Sequence, residues 1–187
     1  DIESLVYVSW QQEGTCTGAV EYSFDKDDWL QSPTQTFAAG AQEVLLLGIP
    51  YDTDVLIRLV CDGVTSDTIE AETENLPSGL PEPELVTSDP SQWYDEGRYL
   101  YTSINGSSGG WTGGDYWKVI IDRQGRVVWA METPDSHWTI WAQPSRSGAD
   151  LMWDDATVWV WSTDEESKVH RMKIDGSIVQ TYETPGL

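Results

Sequence analysis

The second half of the sequence repeats itself without a gap. A shift of 51 residues places the segment that begins at Gly97 on the segment that begins at Gly148. The residues that coincide are mostly glycine, apolar residues and a Glu-Thr-Pro triplet: Leu100 with Leu151, Gly125 with Gly176, Val128 with Val179, and Glu132-Thr133-Pro134 with Glu183-Thr184-Pro185, joined by the conservative pairs Val127 with Ile178 and Asp115 with Glu166. A spacing preserved over this length predicts two copies of one structural unit.

Each copy carries a turn signal between two apolar runs. Gln124-Gly125 and Asp175-Gly176 occupy these positions, and Asp-Gly is a strong signal for a two-residue hairpin loop. A period of about 40 to 50 residues built from several strands is typical of a β-propeller blade. Known propellers close with roughly four to eight blades, so the two copies predict an incomplete propeller. We expect a complementary propeller chain from the same precursor to supply the rest. The alternative is a ring formed by several copies of this chain.

The first 74 residues have the pattern of short β-strands separated by Gly, Pro, Asn and Asp. Alternation of Val55, Ile57 and Leu59 with their neighbours marks one strand that has a buried face. The predicted strands are Leu5–Trp10, Ala19–Phe24, Gln42–Gly48, Asp54–Cys61 and Ser66–Glu72. Strands of this number and length, with no convincing helix, favour an all-β antiparallel sandwich over residues 1–74.

A connector separates the two halves. The stretch from Glu74 to Gln92 contains four prolines among mostly polar residues. Proline lacks the amide donor that a central strand needs, so this stretch predicts an extended linker over residues 75–92. The first propeller blades are then expected over residues 93–187.

Two stretches resemble known families. "LLLGIPYDTDVLIRLV" resembles the corner of a fibronectin type III-like sandwich, with Pro50 and Thr53 in place and Val55 where that fold often has a tyrosine. "YWKVIIDRQGRVVWAMETP" and "SKVHRMKIDGSIVQTYETPGL" resemble the start of the propeller in bacterial arylsulfotransferase-like proteins, in which a small β-sandwich precedes a propeller. The resemblance therefore implies a fibronectin type III-like sandwich followed by about two blades of an incomplete propeller.

The arylsulfotransferase-like resemblance also implies an activity and a location. It implies a secreted, periplasmic or cell-surface bacterial enzyme that moves a sulfuryl group between phenols, small aromatic substrates, through a histidine in later blades outside this chain. Imidazole is a good nucleophile near neutral pH, which suits this chemistry. Two other functions stay open. One is a non-catalytic propeller that binds an aromatic or glycan ligand, and the other is a metal-dependent enzyme on the same scaffold.

The two cysteines are expected to point into the interior of the predicted sandwich. Cys16 falls on the parity of Val20 and Tyr22, and Cys61 falls on the parity of Val55 and Ile57. Both side chains are therefore expected in one core. We predict a disulfide, which indicates an oxidising compartment. The alternative is two unreacted core thiols.

Charge and hydropathy exclude several partners. The chain has 10 basic and 32 acidic residues and a net charge of −22. Such a surplus repels phosphate backbones and anionic lipid, so we expect no nucleic-acid partner. No apolar run approaches the roughly 18 to 20 residues of a membrane span, so we expect no membrane insertion of a soluble globular protein.

Few residues qualify as site candidates. His137 and His170 are the two histidines and the catalytic candidates, although an ordinary packed or surface role suits each of them. Trp111 lies in a glycine-rich loop and is the candidate ligand-binding residue. Calcium is the one candidate cofactor, because hard oxygen ligands cluster in the second repeat at Asp154, Asp155, Asp164 and Glu165. That cluster lacks the spacing of a calcium loop, and a solvated loop is the alternative.

Overall fold

The computed structural model describes residues 2–25, 28–94, 98–105, 115–133, 138–139, 141–146, 149–155 and 168–183. Over these ranges the protein is all-β, with one short 3-10 helix at Pro90–Gln92. This confirms the predicted structural class. The described ranges contain no helix that is long and apolar enough to span a membrane. The chain divides into two compact units, Glu3–Asn75 and Leu76–Leu187 with Asp1–Ile2.

The unit Glu3–Asn75 contains all five predicted strands and three short strands that the pattern did not reveal. The strands are β1 (Val6–Gln12), β2 (Cys16–Asp25), β3 (Asp28–Gln31), β4 (Gln35–Phe37), β5 (Gly40–Leu46), β6 (Asp54–Cys61), β7 (Val64–Thr65) and β8 (Ile69–Glu72). The short strands escaped prediction because two to four residues carry too little periodicity to be recognised.

Two sheets of this unit share one core. β1 pairs with β5 in one sheet, and β2 pairs with β6 at the centre of the other, where β3, β4, β7 and β8 flank them. All pairs are antiparallel. Side chains of both sheets form the core cluster: Cys16, Val20, Tyr22, Phe37, Val44, Leu46, Ile49, Val55 and Ile57. The alternation along β2 and β6 therefore does face a shared interior.

A disulfide joins Cys16 at the start of β2 to Cys61 at the end of β6, with their Cα atoms 5.8 Å apart. Cys16 lies in the core cluster and Cys61 packs against it. The predicted disulfide is confirmed, and the alternative of two free thiols is wrong.

The corner before β6 is closed by hydroxyl groups from β2 and from the residue that follows β8. Val55 has no hydroxyl and is fully buried. The Tyr22 hydroxyl donates to the Leu47 carbonyl at 2.8 Å, and the Thr73 hydroxyl donates to the Pro50 carbonyl at 2.6 Å. These bonds satisfy carbonyl groups where the chain turns into β6.

The unit Leu76–Leu187 begins with the Pro-rich segment, which forms no strand. Leu80 in this segment is buried. The described residues after this segment form seven strands: β9 (Tyr99–Asn105), β10 (Tyr116–Asp122), β11 (Val127–Glu132), β12 (Ala142–Pro144), β13 (Leu151–Asp155), β14 (Lys168–Met172) and β15 (Ile178–Glu183). They form two antiparallel sheets, the first repeat sheet (β9–β11) and the second repeat sheet (β12–β15).

The 51-residue offset seen in the sequence reappears in the strand register. In the first repeat sheet Leu100 pairs with Ile121, and in the second Leu151 pairs with Met172. The register shifts between Ile120 and Ile121 in the first sheet, and between Arg171 and Met172 in the second. Each of these positions is 51 residues from its counterpart. The two copies are therefore one three-stranded meander built twice, including its bulge.

Both hairpins exist, but their loops are one residue longer than predicted. The Asp122 N–H donates a hydrogen bond to the Arg126 carbonyl at 3.0 Å. In the second hairpin the Lys173 N–H donates to the Ser177 carbonyl at 2.9 Å. Three residues lie between these partners. Gly125 and Gly176 have φ values of 83° and 88°, the left-handed conformation that ends a turn of this kind. The glycine lies after the turn rather than at its centre.

We expect alanine at either hairpin glycine to destabilise the repeat unit by about 1–2 kcal/mol, because a Cβ strains the left-handed conformation. Gly125→Ala should cost more than Gly176→Ala, since its Cβ would lie 3.0 Å from the Leu85 Cβ, whereas the Gly176 Cβ would have its nearest neighbour at 3.6 Å. Urea unfolding followed by tryptophan fluorescence measures both changes. Gly14→Ala, where a Cβ meets nothing within 4 Å, is the matched control.

Candidate functional site

A buried lysine lies between the two repeat sheets. Lys118 is in the middle of β10 and is 1% exposed. Its Nζ lies 3.3 Å from the centroid of the Trp153 indole ring on β13. The Nζ makes no hydrogen bond to the described part of the protein. The amine therefore lies against the face of the indole ring, in the geometry of a cation–π contact.

The indole belongs to a small polar cluster inside the second repeat sheet. His170 stacks on Trp153 with ring centroids 4.3 Å apart. The two His170 ring nitrogens contact Asp155 Oδ2 at 3.1 Å and Thr181 Oγ1 at 3.0 Å. Trp153 pairs with His170 across β13 and β14, and His170 pairs with Thr181 across β14 and β15, so the side chains share one face. We call Lys118, Trp153, His170, Asp155 and Thr181 the lysine cluster.

Burial lowers the pKa of Lys118 from 10.5 to about 7. Loss of hydration disfavours the ammonium form, and the nearby carboxylates of Asp155 and Asp154 compensate for only part of this loss. Burial therefore makes the ammonium form of this lysine much less favoured than it is in water.

The space beside the lysine cluster is small where the described residues enclose it. The cavity beside Lys118, Trp129 and Trp153 measures about 10 Å³. A volume of this size holds about one water molecule. A nucleophilic amine needs a reacting atom within about 3 to 3.5 Å, and this cavity by itself is too small to hold a substrate there.

The imidazole of the candidate His170 is held in place by its neighbours and is not exposed as a nucleophile would be. It is buried, and both ring nitrogens have hydrogen-bonding partners. The neighbouring Arg171 pairs with Asp150, with its Nε donating to Oδ2 at 2.6 Å. As predicted for neighbours in a strand, the two side chains do not converge on one site.

The candidate calcium ligands Asp154 and Asp155 point to different surroundings. Asp154 Oδ1 accepts hydrogen bonds from the Trp141 N–H at 2.8 Å and from the Thr139 hydroxyl at 3.1 Å. Asp155 belongs to the lysine cluster instead. Among the residues that the structure describes, no group of three or more His, Cys, Asp or Glu side chains is arranged to hold a metal ion.

Four sequence candidates lie outside the described residues. They are His137, Trp111, Asp164 and Glu165.

A second feature of the first repeat sheet is an open groove of about 220 Å³. We call it the aromatic groove, and it is lined by Trp93, Tyr94, Arg98, Tyr99, Leu100, Ile121, Asp122 and Arg123. The Arg123 guanidinium lies over the Trp93 ring, 4.9 Å from its centroid, and donates to the Tyr94 carbonyl. The sequence hypotheses missed the groove because Trp93 and Arg123 are 30 residues apart.

Comparison with known proteins assigns this chain to no family. No family model matches this chain, and no curated protein and no solved structure matches it significantly.

Proposed function

We propose that the unit Leu76–Leu187 is the opening part of a β-propeller whose remaining blades come from a complementary segment of the same precursor. The repeated meander supports this, because both copies share strand register, bulge and glycine-ended hairpin. The way the copies pack also supports it. The Trp129 indole N–H donates to the Ile174 carbonyl of the second repeat sheet at 2.7 Å.

The observation that carries the proposal is the contrast between β11 and β15, which are equivalent in the two repeats. On β11, Val127 and Val128 are 5% and 3% exposed. Their counterparts on β15, Ile178 and Val179, are 53% and 45% exposed, and Tyr182 is 40% exposed. The second repeat sheet lies next to β11, and a further repeat would cover β15 in the same manner. Exposed apolar side chains of this kind mark interaction surfaces.

The N-terminal unit is proposed to be a fibronectin type III-like sandwich. Its support is the pairing of β1 with β5 in one sheet and of β2 with β6 in the other, around a common core. The hydroxyl bonds of Tyr22 and Thr73 at the corner before β6 stand in for the tyrosine that Val55 replaces.

The activity proposed for the complete assembly is transfer of a sulfuryl group between phenols. A histidine of the complementary segment attacks the sulfur of an aryl sulfate, the S–O bond breaks and a phenolate leaves. An acceptor phenol then attacks the same sulfur, the S–N bond breaks and the histidine is restored. The resemblance of the repeat sequences to arylsulfotransferase-like proteins supports this chemistry. The disulfide Cys16–Cys61 supports an oxidising, secreted location.

The test uses the complete assembly of this chain with its complementary segment. We expect transfer from 4-nitrophenyl sulfate to phenol, measured by release of 4-nitrophenol. The double variant Ile178→Lys/Val179→Lys should lose at least about tenfold in transfer and should release the complementary segment on gel filtration, because buried ammonium groups oppose docking.

Val64→Lys is the control, since Val64 is 71% exposed and lies in the other unit. It should leave transfer and assembly unchanged. An assembly that transfers no sulfuryl group would contradict the activity. Retained assembly and transfer in the β15 double variant would contradict the docking surface while leaving the chemistry standing.

A further inference from the structure

The sheet that β1 forms with β5 has two strands in the described part of the chain. The unit Glu3–Asn75 is described throughout, apart from residues 26 and 27. Within the described ranges, no backbone hydrogen bond outside this pairing joins β1 or β5 to another segment. Each strand therefore has one open edge, and an open edge can accept a further strand.

The edge beside β1 is the less complete of the two. Val6 pairs with Leu46 and Val8 pairs with Val44, and each pair points into the core of the sandwich. Leu46 and Val44 are 1% and 6% exposed. Val6, Val8 and Trp10 pack against the same core but are only partly buried. Because the core-facing side chains keep contact with water along β1 and lose it along β5, the strand that would complete this sheet belongs beside β1.

The charge of the chain also distinguishes these two edges. β1 contains no charged residue, although the whole chain has a net charge of −22. β5 contains the exposed carboxylate of Glu43, which accepts a hydrogen bond from the Ser9 hydroxyl at 3.2 Å. Charged side chains on an edge strand oppose pairing with another chain. A second acidic molecule therefore meets less repulsion along β1 than along β5, and a second copy of this chain is such a molecule.

The sequence of β1 is complementary to itself in the antiparallel direction. When two copies of β1 are centred on Ser9, all seven residues of each strand have a partner, and Val8 lies opposite Trp10. Core-facing residues then lie opposite core-facing residues, because this register keeps the parity of the strand. Pairs of aromatic and β-branched side chains stabilise a sheet. Glu13, which follows β1, lies opposite Leu5, so no carboxylate is placed opposite another.

We propose that this chain forms a two-fold symmetric dimer through β1, with the two strands antiparallel and centred on Ser9. The two sheets become one four-stranded sheet in the order β5–β1–β1–β5, and the same strand is used by both copies. A contact between two strands of seven residues is small beside the roughly 1,200–2,000 Å² of a stable interface, so the dimer is weak and reversible. It forms within the unit Glu3–Asn75 and does not depend on sulfuryl transfer.

The first test is sedimentation equilibrium of the purified chain at about 0.1 M and about 1 M sodium chloride. We expect a reversible monomer–dimer equilibrium whose dissociation constant falls about fivefold or more at the higher salt concentration. The reason is that the screening length shortens from about 10 Å to about 3 Å, which reduces repulsion between acidic copies and leaves an uncharged contact intact. A chain that stays monomeric up to roughly 1 mM, or a dimer that dissociates in salt, would overturn the proposal.

The second test is Ser9→Lys, which places two ammonium groups opposite each other on the symmetry axis. Dimerisation should weaken by about tenfold or more, because like charges in opposed positions destabilise a strand pair. The substitution makes the chain less acidic, so greater overall repulsion cannot explain a loss. Ala41→Lys is the matched control, since it makes the same charge change at an exposed position of β5.

The control should dimerise as the unchanged protein does. Both positions are exposed, and thermal unfolding should show that both variants keep their fold. Undiminished dimerisation of Ser9→Lys, or its loss in Ala41→Lys, would contradict pairing through β1.

The third test measures the register directly. Opposed residues of antiparallel strands have Cα atoms about 4.5–5.5 Å apart, which lies within the range that a disulfide can bridge. Ser9→Cys should therefore form a covalent dimer at least about tenfold faster than Gln11→Cys, as followed by non-reducing electrophoresis. Gln11 is exposed on the same strand and face, but in this register it lies opposite Tyr7. Equal cross-linking rates of the two variants would show that the strands do not pair across Ser9.

Discussion

Replacing Lys118 by methionine is expected to stabilise the repeat unit at pH 7 by roughly 3 kcal/mol. Methionine has a similar length and no charge to desolvate, so it fills the space under the Trp153 ring without the penalty that burial imposes on the ammonium group. Urea unfolding at pH 7, followed by tryptophan fluorescence, measures the change. An equal or lower free energy of unfolding in Lys118→Met would contradict the burial of this amine.

The same lysine predicts how stability depends on pH. Its folded pKa of about 7 lies below its ordinary value of 10.5. Between these two values the unfolded chain binds a proton that the folded protein does not, so the free energy of unfolding rises as pH increases. We expect a rise of roughly 3–4 kcal/mol from pH 7 to pH 10. Near and above pH 10 Tyr99 and Tyr101 act against this rise, because burial raises their pKa in the folded protein, which keeps phenol protons that the unfolded chain has lost.

The control for both measurements is Lys173→Met. Lys173 is exposed in the β14–β15 loop. Its substitution should keep the pH dependence of the unchanged protein, whereas Lys118→Met should flatten the profile between pH 7 and pH 10. A flat profile in the unchanged protein would show that Lys118 stays hydrated when the chain folds.

Removing the disulfide is expected to destabilise the N-terminal unit by about 4 kcal/mol. Cys16 and Cys61 are separated by 45 residues, and closing a loop of this length removes much conformational freedom from the unfolded chain. The double variant Cys16→Ala/Cys61→Ala should show this loss in urea unfolding under oxidising conditions. A small domain has little stability in reserve, so its melting temperature should fall steeply.

The unchanged protein in reducing buffer provides the matched comparison. Its N-terminal unit should unfold at the same urea concentration as the double variant, because both lack the cross-link. The unit Leu76–Leu187 contains no cysteine and should be insensitive to the reductant. A loss of less than about 1 kcal/mol would mean that the unfolded chain is already constrained in this loop.

The predictions that succeeded rest on local patterns. Alternation of apolar residues located β2 and β6 and placed both cysteines in one core. The 51-residue offset located two meanders with one register. The hairpin loops were predicted one residue too short, because an Asp-Gly pair does not reveal whether the glycine lies within the turn or after it.

The sites were harder to predict, because they join residues that are distant in sequence. Lys118 is followed by an apolar run in β10, and a lysine in a sequence is ordinarily expected in solvent. Its burial depends on Trp153, which belongs to the other repeat sheet. His170 was recognised as a candidate, but its partners Asp155 and Thr181 come from the strands on either side.

The sequence by itself determined the all-β class and the two-copy repeat, and it placed both cysteines in one core. Each of these follows from the period-2 alternation of a strand and from chain spacing, which are local properties. Only the tertiary structure decided that a lysine loses its hydration, that a histidine is held at both nitrogens, and that arginines meet aromatic rings in a groove. The hydration and the electrostatic environment of a side chain depend on which strands become neighbours. The periodicity of a single strand does not predict which strands will lie beside it.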